Sequence, residues 1–402
     1  MKKILLSFLM TSFVAMSAVQ AADSKGGGLE LSGNIDVVTG WQHDSQNSTG
    51  DFAGGQLGWF RGATAPGRDT FDFYIDQVEL DLNKSFGENI RIRADLDFGR
   101  QLSGSGRNTN TAAPFGPALS NFELEQGYVT MNVVGAEFLI GRFNAPIGYY
   151  VVDRADNPTL SFSMNYNYLT PTNVTGGKIF YAFNDLIDWH LYVVNNLADS
   201  VPFGNGAGFN PGGLSNGAYS AIPSYGTRIG FNWGADDTKS TVGISYAGGP
   251  ERFGCNGGTT GCNRHLTNIV DIDWAIKFSP SFLFAGEGTF RQDNVLPGTG
   301  PNDRAYAAFG LFNYDFSSNW RVYGRFGWMQ DRTGFYTGAI NPLTGGLLSQ
   351  NIWDGAVGVG YQITEGAKMK VEYNPTIFVP RNAPGLGTAW SNGLAMEFAY
   401  NF

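Results

Sequence analysis

Arg91, Arg93, Asp95 and Asp97 occupy every second position of one short segment, and Ile90, Ile92, Ala94, Leu96 and Phe98 occupy the others. A two-residue period puts the charges on one face of a β-strand and the apolar side chains on the other. Successive charges on a single face need water or one another. The same alternation elsewhere adds Arg142, Arg228, Arg291, Arg321, Arg325, Lys178 and Lys277 to the polar faces, with Glu123, Glu125, Asp271, Asp273, Glu287, Asp354 and Glu372 as acids. Such a set performs electrostatics rather than covalent chemistry. Guanidinium groups facing carboxylates across water create a transverse field that orders the water and sorts solutes by size and charge. The same residues can instead act only as cross-strand ion pairs that hold a sheet, Arg91 with Asp95 or Asp97 among them.

A second constellation lies in the segment Asn144 to Asn173, where Pro146, Pro158 and Pro171 stiffen the chain and Asp153 and Asp156 supply acids. Tyr166 and Tyr168 with Asn165 and Asn167 could stack on and hydrogen-bond to a sugar-like solute, or serve as an interfacial girdle. For Tyr149 and Tyr150 the girdle is the expected role. Cys255 and Cys262 are the only cysteines, close together in a Gly-rich stretch. In an exported protein an even count predicts a disulfide closing a small outer loop. With His265 they fall short of the four ligands of a zinc site, and no metal site or cofactor is expected. Membrane-face hydrolysis would need a Ser and His pair, but His43 and His265 fall in presumed outer loops and His190 on a polar strand face. No Ser or acid is placed to complete a set, so the protein is not expected to be an enzyme.

These residues are carried by an all-β chain. In the last thirteen residues, Trp390, Leu394, Met396, Phe398, Tyr400 and Phe402 alternate with polar or small residues. A strand with one lipid face and one lumen face cannot leave its edge open in hydrocarbon, so it must pair with the first strand and close a barrel. Leu29 to Trp41 reads as that first strand. Phe71 to Asn83 follows, with a slip of register between Ile75 and Val78 that predicts a bulge. Ile90 to Phe98 is the third, and further strands centre on Leu124–Met131, Glu137–Phe143, Lys178–Phe183, Trp189–Val194, Thr227–Trp233, Thr241–Tyr246, Asn268–Phe278, Phe282–Arg291, Tyr306–Phe316, Trp320–Trp328, Trp353–Ile363 and Lys368–Tyr373. Connections alternate between short ones, such as Lys84–Asn89, Val134–Ala136 and Ser279–Ser281, and long ones rich in Gly, Asn, Pro and Ser, such as Asn195–Tyr225 and Gln330–Gln350. This predicts a transmembrane antiparallel β-barrel of about sixteen strands, with short periplasmic turns and long extracellular loops.

Composition agrees. The chain has 402 residues with 56 Gly and 14% aromatic residues, a mean hydropathy of −0.16, and no apolar run of transmembrane-helix length beyond its N-terminus. Lys2 and Lys3, the apolar stretch Ile4 to Val14, and Val19-Gln20-Ala21 form a secretory signal, so residues 1–21 are expected to be removed and residues 22–402 to form one barrel domain. A net charge of −9 without a basic stripe excludes nucleic acid as a partner.

The segment Phe138 to Asp185 resembles the OmpL-like β-barrel porins (porin-2 type). The resemblance rests on Gly141-Arg142-Phe143-Asn144-Ala145-Pro146-Ile147-Gly148-Tyr149-Tyr150, Asp156-Asn157-Pro158 and Thr175-Gly176. Tyr150 stands where a glutamate often follows the Gly-Tyr pair, so no acidic role is carried to that position. The resemblance implies a porin in the outer membrane of a Gram-negative bacterium. The chain also resembles, more loosely, the general 16-stranded porins, whose loop between the fifth and sixth strands folds inward to narrow the pore and which often form trimers. Asn144 to Asn173 is the corresponding segment. The expectation is passive diffusion of small hydrophilic solutes or ions past that loop, with outer-membrane lipid around the barrel and a homotrimer implied by resemblance. The alternative is a structural or surface-interaction barrel with a closed pore. The expected constriction sets Asp153 and Asp156 on the loop opposite Arg91, Arg93, Arg321 and Arg325. Replacing Arg91→Ala together with Arg93→Ala should shift selectivity toward cations, and an unchanged reversal potential in a salt gradient would remove both from the pore.

Overall fold

The computed structural model describes residues 28–45, 69–98, 122–197, 222–253, 263–296, 302–334, 336–337, 348–381, 383 and 385–402. The expected leader 1–21, the cysteines Cys255 and Cys262, and most of the long segments 195–225 and 330–350 lie outside them. Among the described residues the chain forms β1 (Glu30–Asp44), β2 (Asp69–Phe86), β3 (Ile90–Phe98), β4 (Phe122–Val133), β5 (Ala136–Asn144), β6 (Asn173–Ala182), β7 (Ile187–Val194) and β8 (Ser224–Trp233). The second half supplies β9 (Ser240–Phe253), β10 (Asn263–Ser279), β11 (Phe282–Leu296), β12 (Asn302–Asp315), β13 (Trp320–Asp331), β14 (Gln350–Thr364), β15 (Ala367–Pro380) and β16 (Ala389–Asn401). Each strand pairs antiparallel with its neighbours in sequence, and β16 pairs with β1, so the sheet is a closed barrel.

The closing ladder runs from Asn34 opposite Asn401 to Asp44 opposite Ser391. Beyond its end the Gly33 and Phe402 backbones exchange hydrogen bonds of 3.1 and 3.0 Å. Along β16 the alternation is sharp: Trp390, Leu394 and Met396 are exposed outward while Ala395, Glu397 and Ala399 are buried inward. That is the division expected of strands with lipid on one side and a filled or wet lumen on the other. Tight turns fall where the sequence places them, at 87–89, 134–135, 280–281 and 365–366. The two-residue turn at 134–135 has positive φ at both centres, 51° at Val134 and 80° at Gly135, the twist a tight hairpin requires. On the opposite rim the strands run longer than the apolar pattern suggests. His43 therefore lies on β1, its Nδ1 2.7 Å from Asp69 Oδ1, and not in a loop.

Besides register shifts beside the tight turns, between Lys277 and Ser279 and between Gln362 and Thr364, two bulges break the alternation within β2 and β4. Asp36 faces Gln77 and Val37 faces Ile75, which leaves Asp76 as an extra residue within the expected slip. Asp95 faces Gln126 and Leu96 faces Leu124, which leaves Glu125 extra on β4. Each bulge turns two successive side chains inward, Asp76 with Gln77 and Glu125 with Gln126, and all four are buried.

Gly141 marks a close approach between β5 and β4. Its φ is 142°, and a Cβ there would lie 2.2 Å from the Gly127 carbonyl oxygen. Gly141→Ala should therefore lower the urea midpoint of the micelle-folded barrel, a loss on the order of 1–3 kcal/mol, with an unchanged denaturant slope.

Candidate pore constriction

The loop 145–172 leaves β5 and re-enters the sheet at β6, where the Ala145 N–H donates to the Thr172 carbonyl at 2.7 Å. Asn157 shapes its first half. Its Nδ2 donates to the carbonyls of Val151 at 2.9 Å and Asp153 at 3.0 Å, and its Oδ1 accepts from the Val151 N–H at 3.1 Å. A single wide helical turn, Asn165–Leu169, shapes the second half.

From there the loop's bonds go to distant strands. On β15, Glu372 accepts from the N–H groups of Leu160 at 2.6 Å and Ser161 at 3.1 Å, and Lys370 Nζ donates to the carbonyls of Arg154 and Ala155 at 3.3 and 3.2 Å. On β13, Arg325 donates to Tyr150 OH at 2.9 Å, to Ser161 Oγ at 2.9 Å and to the Ser161 carbonyl, while Asp354 of β14 holds it from the other side at 2.7 Å. On β11, Glu287 accepts from the Tyr149 N–H at 2.9 Å and Arg291 donates to the Leu169 carbonyl at 3.1 Å. Asn165 bridges Thr289 of β11 at 2.8 Å and the Ala307 carbonyl of β12 at 3.1 Å. On β2, Gln77 donates to Asp153 at 2.9 Å and Asp76 pairs with Arg154 at 2.8 Å. A segment that starts between β5 and β6 and bonds to β13 and β15 in a ring of sixteen crosses the lumen.

Apolar packing supports the crossing. Tyr150, Phe162 and Tyr166 cluster with Ala285, Phe309 and Leu311 of the wall, and Phe162 stacks on Tyr166 with ring centres 4.2 Å apart. This corrects the girdle expected of Tyr149 and Tyr150: they follow the end of β5 on a chain that turns inward, away from the lipid interface. Burial raises the phenol pKa of both, so they are neutral hydrogen-bonding groups.

The expected wall of arginines facing loop acids does not assemble. Arg325 is fully buried and serves as an anchor of the loop. Arg93 lies 2.7 Å from Asp95 and 3.4 Å from Asp81, and Arg91 donates to Asn83 at 2.8 Å. Arg321 pairs with Asp315 at 3.1 Å near the short-turn rim. Asp156 meets Lys368 at 3.3 Å, whereas Asp153 turns toward Gln77 and the acids of β2, where burial raises its pKa. Asp97 accepts from Gln77 at 3.1 Å, and Asp95 from Gln126 at 2.6 Å. Arg142 has the strand parity of Phe138 and of Ile140, which is 73% exposed on the outward face. It donates from Nε to the main-chain oxygen of Glu125 at 3.0 Å. β5 is apolar on both faces, so its sequence does not fix which side Arg142 takes. Lys370 and Arg154 were missed as anchors. The alternation of Lys368, Lys370 and Glu372 with Met369, Val371 and Tyr373 marks the inward face of β15, but nothing in it shows that a loop lies opposite.

A sequence model of the family described as "Putative beta-barrel porin-2, OmpL-like" matches residues 28–392. The chain belongs to this family. Its fold is similar to the outer membrane channel DcaP of Acinetobacter baumannii, with TM-score 0.61, 13% identity and coverage of 96% of this chain and 100% of that one. The anion-selective porin from Comamonas acidovorans aligns with TM-score 0.58 and 9% identity over 94% of this chain and 100% of that one. Salmonella typhi OmpF, solved with daunomycin, aligns with TM-score 0.54 and 12% identity over 95% and 100%. No curated protein matches the sequence.

Within this family member Arg325 ties both Tyr150 and Ser161 to the wall. Arg325→Gln leaves Asp354 buried without its cation, a loss of about 3–5 kcal/mol when one partner of a buried pair is removed. The folded variant, still heat-modifiable on gels, should be clipped by protease within 145–172 under conditions where the wild-type loop resists.

Proposed function

We propose that the protein is an outer-membrane channel through which small hydrophilic solutes and ions diffuse passively, with the loop 145–172 setting the narrowest cross-section. The observation that carries this reading is the loop's anchorage to walls on both sides of the lumen, at β2 and at β11, β13 and β15. A chain so fixed narrows a barrel without a moving part. No covalent step is involved. Solute passes the outer loops, squeezes along the loop edge and leaves at the short-turn rim.

That rim carries bases among acids such as Glu88, Asp185, Asp237, Asp315 and Glu365. Arg91 is the second residue of β3, Arg321 of β13 and Lys368 of β15, and Lys277 lies two residues before the end of β10. Arg91 is exposed, and the Arg321 side chain is 43% exposed. Bases that reach into the mouth attract anions and raise their local concentration, and the rim acids oppose them. The anion preference in the description of the Comamonas porin is the behaviour that the bases would favour where they outweigh the acids. Removal of residues 1–21 during export, lipid around the outward apolar face and assembly as a homotrimer complete the proposal. In a planar bilayer with a salt gradient, the refolded mature chain should give long-lived open steps and a reversal potential on the anion side. A barrel that inserts and stays silent would favour the closed, structural alternative.

A further inference from the structure

We infer that the outward face of β12 and β13, at the rim of the long connections, holds the phosphomonoester headgroup of an outer-leaflet lipid between Arg304 and Arg332. The two arginines stand directly opposite each other. Ala305 faces Asp331 in the ladder, and one step further the Arg332 N–H donates to the Arg304 carbonyl at 3.1 Å. Both share the parity of residues turned to lipid, Arg304 with Tyr306 and Phe312 and Arg332 with Trp328 and Phe326. Arg332 is exposed, and its guanidinium carbon lies 5.9 Å from the Tyr306 ring centre. Arg304 Nε is shut off from solvent and has no hydrogen-bond acceptor.

Their height on the barrel marks the headgroup layer. Rows across the sheet run from apolar to cationic: Ala308 with Trp328 and Trp353, then Phe290 with Tyr306, Gln330 and Asn351, then Gln292 with Arg304 and Arg332. The rings of Trp328 and Trp353 are centred 6.2 Å apart, and those of Phe290 and Tyr306 5.1 Å apart. Tryptophan and tyrosine settle where hydrocarbon meets headgroups. Successive outward residues of a strand are about 7 Å apart. The arginines therefore stand one row above the aromatic belt, at the level of lipid phosphates.

The charge of that face is of one sign. The outward positions of β11 to β14 include no Asp or Glu, and the connections 297–301 and 332–349 contain none in their sequence. The acids at the same height, Asp293, Asp303 and Asp331, are buried on the lumen side, where Asp293 pairs with Arg291. Asp331 also fixes the chain beyond Arg332, accepting from the N–H groups of Gly334 and Thr337, each at 2.9 Å. Like charges directly opposite each other on a ladder repel. A phosphate seated between them reverses the sign of that interaction, because two planar guanidinium forks match its oxygens. A phosphomonoester carried on acyl chains fits all three rows: its charge at the arginines, its polar linkage at the amides of Gln292 and Gln330, its chains along Trp328 and Trp353. A free phosphate meets only the first.

The test does not depend on an open pore. The full barrel, refolded in dodecyl maltoside micelles, is titrated with phosphatidic acid or with phosphatidylcholine, both carrying brominated acyl chains, and the quenching of tryptophan fluorescence is followed. The wild type should prefer phosphatidic acid by on the order of thirtyfold, the value of two bases at a lipid surface. Arg304→Gln combined with Arg332→Gln should lose most of that preference. An equal preference in the two proteins, or none in the wild type, would overturn the assignment. Abolition of the preference by millimolar inorganic phosphate would also overturn it, by making the ligand a free ion. Should the double variant lack the heat-modifiable folded band, Arg332→Gln alone, at an exposed position, replaces it under the same criteria.

Discussion

A strand surrounded by hydrocarbon can satisfy its backbone only by pairing along both edges, and the β1–β16 ladder makes that true of every strand in this sheet. Without it two edges of unpaired N–H and C=O groups would face lipid, at several kcal/mol for each group. The exchange between Gly33 and Phe402 extends the closure to the last residue. Alternation then follows. A closed sheet has one side for Trp390, Leu394 and Met396 and another for Glu397, and no strand can slip by one residue without sending its charges into the membrane.

Closure also creates the problem that the loop answers. Polar side chains turned into a small lumen must be hydrated, paired or bonded to something that enters it. Here the wall of β11–β15 meets a peptide whose N–H groups and carbonyls match it: Glu372 and Glu287 accept from the loop backbone, and Lys370, Arg291 and Arg325 donate to it. The wall of β2–β4 is different, since its inward groups are mostly acids whose number the bulges at Asp76 and Glu125 increase. The two halves of the lumen thus fix the loop by different means, one by hydrogen bonds to backbone and the other through charge.

The strands, their approximate number, the tight turns and the β2 bulge were legible in the sequence because each leaves a mark within a few residues. A two-residue period needs no partner to be seen, and the slip around Asp76 is visible in the order of Ile75 and Val78. The position of a residue along the barrel axis leaves no such mark. Arg321 and Arg325 are two repeats of the pattern apart, yet Arg321 sits at the rim and Arg325 lies under the loop. Parity failed for Arg142 because both faces of β5 are apolar. It failed for Tyr149 and Tyr150 because a girdle ring and a lumen ring have the same composition and differ only in where the chain turns. The loop itself was found by counting strands, while its anchors on β11 to β15 required the sheet to be closed.

The contact between Leu160 and Glu372 joins residues 212 apart in sequence. Until β15 has found its place, the two are ends of a chain segment whose closure is opposed by entropy, and no local structure brings them together. The loop's bonds to β15 therefore form only once that strand is in place, so its anchorage is completed by the last part of the chain to join the wall.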